Sequence, residues 1–83
     1  MRQPRDLAGK DLIQLLGRHY GFRLRRSRGS HMLATLTTLT GRHSVTVPRR
    51  RVLKVGTLGQ VVSEVAAFVG ATDKDVREKL FGR

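Results

Sequence analysis

Apolar and polar positions change rhythm several times along this chain, and each change marks an element. Ala8, Leu12, Leu15, Leu16 and then His19 or Tyr20 recur at helical spacing, and Gly21 supplies a C-terminal stop. A first helix is therefore predicted over about residues 7–19. The rhythm then tightens to strict alternation in Phe22-Arg23-Leu24-Arg25, the pattern of a half-buried strand. Gly29-Ser30 has turn chemistry, and residues 32–39, rich in Leu and β-branched Thr, read as a second strand. Thr40-Gly41-Arg42 makes the next turn, and residues 43–47 form a short third strand closed by Pro48.

Beyond the basic link Arg49-Arg50-Arg51 the period returns to that of a helix. Leu58, Val61, Val62, Val65, Ala66 and Val69 follow i, i+3, i+4, i+7, i+8, i+11, the strongest periodicity in the chain, and Gly70 ends it. Thr57 and Gln60 have the spacing of a capping box, so this helix is expected to begin near Leu58. Thr72 and Asp75 repeat that spacing and open a short terminal helix whose Val76, Leu80 and Phe81 dock back. The predicted class is α+β, in the order α-β-β-β-α with one extra helix. Its three strands form an antiparallel sheet with the helices packed on one face.

Composition narrows what such a fold does. At 83 residues the chain holds one small domain, residues 1–83, which excludes multi-domain enzymology. It has no cysteine, hence no disulfide framework and no thiolate metal site. No apolar run approaches the roughly 18 to 20 residues of a spanning helix, and Met1-Arg2-Gln3-Pro4-Arg5-Asp6 lacks the apolar core of a signal peptide. The expectation is a cytoplasmic protein with no membrane partner.

Charge carries more information than size. Seventeen Lys and Arg against six Asp and Glu give a formal net charge of +11, which points to nucleic acid, an acidic protein or an anionic surface. Thirteen of the seventeen are arginines, whose planar fork suits bidentate contact with phosphate. From Leu12 to Ser63 there are ten basic residues and no carboxylate, so the interspersed charges of an ordinary solvated face are missing. The six carboxylates outside that stretch show no metal-ligand spacing, and no metal or other cofactor is expected.

The cationic stretch contains three histidines, the side chain suited to moving protons near neutral pH, and of these His31 directly follows the Gly29-Ser30 turn. From spacing alone, a surface histidine at a turn is the plainer reading. His43 is expected at the far end of the second strand, too distant to cooperate, and is assigned to structure or solvent. His19 is read as a residue favoured by the dipole at a helix end.

The strings GFRLRRSRGSH, GRHSVTVP and KVGTLGQVVSEVAAFVG, in this order and spacing, resemble the HicA toxins, small mRNA interferases with a double-stranded-RNA-binding-like fold. The resemblance covers most of the chain. It implies that His31, after the Gly-Ser of the hairpin, is the catalytic residue, and that Gly56-Thr57-Leu58 opens the covering helix. Met32 and Arg49 depart from the pattern, standing where many members carry further histidines. The resemblance also implies a cognate antitoxin similar to HicB, with an acidic surface that masks the basic face.

RNA brings its own nucleophile, the 2′-hydroxyl, so cleavage needs positioning, proton transfer and stabilisation of the charged phosphorane without requiring a metal. Arg28 faces His31 if Gly29-Ser30 is a two-residue turn, and with a longer loop Arg26 takes that place. Ser30 adjoins the histidine. Arg49, Arg50, Arg51 and Lys54 form the densest basic cluster and, with Arg23 and Arg25, either track an RNA backbone or simply form a solvated link. Two functions follow: an endoribonuclease toxin acting through His31, and a non-catalytic RNA-binding module of the same fold.

Overall fold

A computed structural model describes residues 6–82, so the residues 1–5 considered above for a signal sequence lie outside the described part. The order is α1 (Gly9–Tyr20), β1 (Arg23–Arg28), β2 (His31–Thr38), β3 (Gly41–Pro48), α2 (Val55–Val69) and α3 (Asp73–Phe81). The strands form one antiparallel sheet with β2 in the centre, which is the α+β arrangement expected from the sequence.

Alternation divides the sheet into two faces. Met32, Ala34 and Leu36 of β2 and Val45 and Val47 of β3 are buried, and they pack with Leu12 and Leu16 of α1 and Leu58, Val61, Val62 and Val65 of α2. Val76 and Leu80 of α3 complete this core. Each such side chain contributes about 1.5–3 kcal/mol on burial, which fixes the register because a one-residue slip would expose the whole set.

Three local expectations are corrected. α2 begins at Val55 with Lys54 as its N-cap, because the Lys54 carbonyl already accepts the Leu58 N–H at 3.0 Å. Thr57 and Gln60 therefore lie inside the helix and form no capping box. The second hairpin turns at Leu39-Thr40, since Thr38 pairs with Gly41, so β2 stops one residue short of the expected end and β3 starts earlier. β1 runs on to Arg28 through a bulge between Leu24 and Arg26. The Thr72 and Asp75 capping box is present, with Asp75 N–H donating to Thr72 Oγ1 at 3.0 Å.

The chain around residues 49–53 is tied to the start of α1. Gly9 N–H donates to the Arg50 carbonyl at 2.9 Å and Leu53 N–H to the Leu7 carbonyl at 2.8 Å. A Cβ on residue 9 would overlap the Pro48 carbonyl oxygen, so glycine there lets the helix approach the end of β3. At the other end of α1, burial and the nearby Asp75 carboxylate push the Tyr20 phenol above its ordinary range, and the Lys79 ammonium lies 4.7 Å from its ring centroid. No single helix among the described residues is long and apolar enough to cross a membrane.

Candidate active site

The first hairpin sets the geometry. Arg28 pairs directly with His31, leaving Gly29-Ser30 as a two-residue turn in which Gly29 has φ +57° and Ser30 a negative φ, the φ pattern of a type II′ turn. Of the two alternatives for the residue opposite His31, Arg28 is realised, and Arg26 pairs with Leu33 two strand steps further in. The bulge has a chemical consequence. Strict alternation would put Arg23 and Arg28 on opposite faces, but the extra residue resets the phase, so Arg23, Arg26 and Arg28 all pair with the outward-facing Thr35, Leu33 and His31.

His31 is exposed at the start of β2, on the face away from the helices. Its Nδ1 lies 3.4 Å from Ser30 Oγ. When Nδ1–H donates to Ser30, Nε2 is left as a free proton acceptor directed away from the backbone. A shallow hollow of about 190 Å³ is lined by Arg26, Arg28, His31, Leu33 and Thr46. Two guanidinium groups and one imidazole thus converge on one surface depression, and none of the three has a carboxylate partner among the described residues.

The other predicted phosphate contacts divide into groups. Arg23 and Arg25 line a second hollow with Thr35, Thr37 and Arg42, further along the same face. Arg23 pairs with Thr35, four strand steps or roughly 13 Å from His31. Arg49 continues the ladder, its N–H donating to the Ser30 carbonyl at 2.6 Å, and its guanidinium donates to Ser27 Oγ. Ser27 pairs with the buried Met32, so this contact holds Arg49 on the helix side of the sheet, behind His31. Arg50, Arg51 and Lys54 are exposed on the link, outside both hollows.

His43 is held in another way. It pairs with Leu36 on the helix-facing side, its ring stacks on Phe68 at 4.8 Å, and its Nε2 lies 3.2 Å from Thr38 Oγ1 and 3.3 Å from Thr40 Oγ1. Five strand steps, roughly 17 Å, and the thickness of the sheet separate it from His31.

Sequence reasoning missed a groove on the other flank of His31. It encloses about 360 Å³ and is lined by His31, Ser44, Thr46, Pro48, Thr57, Gln60, Val61 and Glu64. Alternation of polar Arg42, Ser44 and Thr46 along β3 was the readable sign of an exposed polar row. That α2 closes over the β3 edge was not readable, because it depends on the tertiary packing of the helix. Among the described residues no group of three or more His, Cys, Asp or Glu side chains is placed to hold a metal ion.

Comparison of the chain with protein-family models, with curated proteins and with solved structures finds no match to any of the three.

Proposed function

We propose that this protein is a cytoplasmic endoribonuclease, the toxin of a pair similar to HicA and HicB, cleaving mRNA by a metal-independent route through His31. The observation that carries the reading is the pairing of His31 with Arg28 across a two-residue turn, in a hollow that also contains Arg26. His31 Nε2 accepts the 2′-hydroxyl proton as O2′ bonds to phosphorus. The P–O5′ bond breaks, and O5′ leaves with a proton from solvent, giving a 2′,3′-cyclic phosphate and a 5′-hydroxyl. Arg28 and Arg26 donate to the phosphorane oxygens, where negative charge accumulates. In the tautomer this step requires, Nδ1–H donates to Ser30 Oγ.

Arg23, Arg25 and Arg42 support the reading as a track for flanking phosphates on the same face. The fold offers few stacking platforms, since Phe22 is buried and Phe68 is engaged with His43, so phosphate and shape dominate recognition. The partner in this reading is an acidic antitoxin that covers the hairpin end, where complementary charge speeds encounter. Expressing the wild type without an antitoxin should arrest growth and deplete mRNA, while His31→Ala, at equal level, should be tolerated. Equal toxicity of the two would remove His31 from the chemistry.

A further inference from the structure

Glu64 is the first carboxylate after the 52-residue stretch from Leu12 to Ser63 that has none, and it lines the groove that His31 opens into. Three of the other five carboxylates have evident local tasks. Asp11 accepts the Ala8 N–H at the start of α1, Asp75 closes the α3 capping box, and Asp73 accepts from Ser63 Oγ at 2.6 Å. Glu64 holds no structural partner of that kind. Its one bond is to its helical neighbour, Gln60 Nε2 donating to Glu64 Oε2 at 3.4 Å.

The direction of α2 shows where it acts. β3 ends at Pro48 beside His31, and α2 returns along the β3 edge until Phe68 meets His43. Thr57 is thus at the His31 end of the groove, while Gln60 and Glu64 lie progressively deeper, towards Ser44. Ser44 is four strand steps, roughly 13 Å, from Pro48, so the groove is long enough for a ligand that extends beyond a phosphate at His31. Pro48 and the buried Val61 provide its apolar lining, and the exposed Gln60 and half-buried Glu64 its polar one.

We infer that this groove receives one nucleobase of the bound RNA, that of a nucleotide adjoining the phosphate at His31, and that Gln60 and Glu64 read its edge as guanine. The inference rests on the part of the proposed function that seats an RNA phosphate at His31. A carboxylate only accepts hydrogen bonds, so it selects a base with neighbouring donors, and the guanine N1–H and N2–H₂ are adjacent. Gln60 keeps a second amide N–H to donate to O6. Uracil, cytosine and adenine each present an acceptor beside their donor, so at least one carboxylate oxygen loses its hydrogen bond and faces a lone pair.

The test uses the full chain and four pentaribonucleotides, UUXUU with X as G, A, C or U, made 2′-O-methyl throughout so that none is cleaved. Fluorescence anisotropy should show X = G binding on the order of tenfold more tightly than the other three, the discrimination of one good bidentate contact. Glu64→Gln should bring the four within about twofold, and Arg28→Ala should weaken all four while leaving their order intact. Equal binding of the four by the wild type, or a guanine preference that survives Glu64→Gln, would overturn the inference. Cleavage of the corresponding all-ribose strands is scored separately. Cleavage without base preference leaves the nuclease reading standing and removes this one, whereas guanine-selective binding without cleavage does the reverse.

Discussion

His31 and His43 occupy opposite ends and opposite faces of one sheet, in environments that share almost nothing. His43 is half-buried, stacked on Phe68 and within hydrogen-bond distance of two threonine hydroxyls, so its ring plane and its Nε2 are both engaged. His31 is exposed, has the adjacent Ser30 hydroxyl as its one side-chain hydrogen-bond partner among the described residues, and faces Arg28 across a two-residue turn. The comparison teaches that residue type does not decide the role. A satisfied histidine contributes stability, and one left open among cations is available for chemistry.

The largest effect expected from breaking this contrast is at Arg28. Arg28→Ala should lower the cleavage rate by about 10²–10³, the cost of removing one donor to a developing oxyanion, in single-turnover measurements at saturating protein. Arg42→Ala, on the same face but beyond the hollow around His31, should weaken binding while leaving that rate unchanged. A rate loss at Arg42 equal to that at Arg28 would dissolve the distinction between the centre and its flanks.

A smaller effect, opposite in kind, is expected at His43. Removing its ring stacking and hydroxyl contacts should cost about 1–2 kcal/mol, lowering the melting midpoint by several degrees in a domain of this size. The cleavage rate of His43→Ala, measured below that midpoint, should match the wild type. A stable but inactive His43→Ala would place chemistry at the wrong end of the sheet.

The smallest effect concerns the link. If Arg50 and Arg51 touch phosphate, replacing both by Gln should flatten the plot of log affinity against log salt by roughly 0.7 for each phosphate that is no longer neutralised on single-stranded RNA. The guanidinium of Arg49 is already bonded to Ser27, so Arg49→Gln should change the slope least of the three. An unchanged slope in the double variant assigns the cluster to a solvated link.

Much of this contrast was legible in the sequence. The period of Leu58 through Val69 requires a covering helix, and the alternation in Phe22-Arg23-Leu24-Arg25 with the Leu- and Thr-rich run beyond Gly29-Ser30 reads as strands. The place of His31 after Gly29-Ser30 put it at a hairpin end. Two things were not legible. The bulge between Leu24 and Arg26 shows in no local pattern, because Arg25 and Arg26 are chemically equivalent, yet it decides which arginines share a face with His31. Thr57 and Gln60 fit a capping box by spacing, and only the winding of α2 from Val55 turns them into groove residues. Glu64 drew no notice because a lone carboxylate on a helix is ordinary until the helix is docked.

The most direct test of the central claim is cleavage of a defined mRNA by the purified protein in excess EDTA, wild type against His31→Ala, with RNA affinity measured for both. The account predicts that the wild type cleaves and leaves cyclic phosphate ends, and that His31→Ala binds as tightly but cleaves at least about 10²-fold more slowly. Binding without cleavage by the wild type, or undiminished cleavage by His31→Ala, would contradict it.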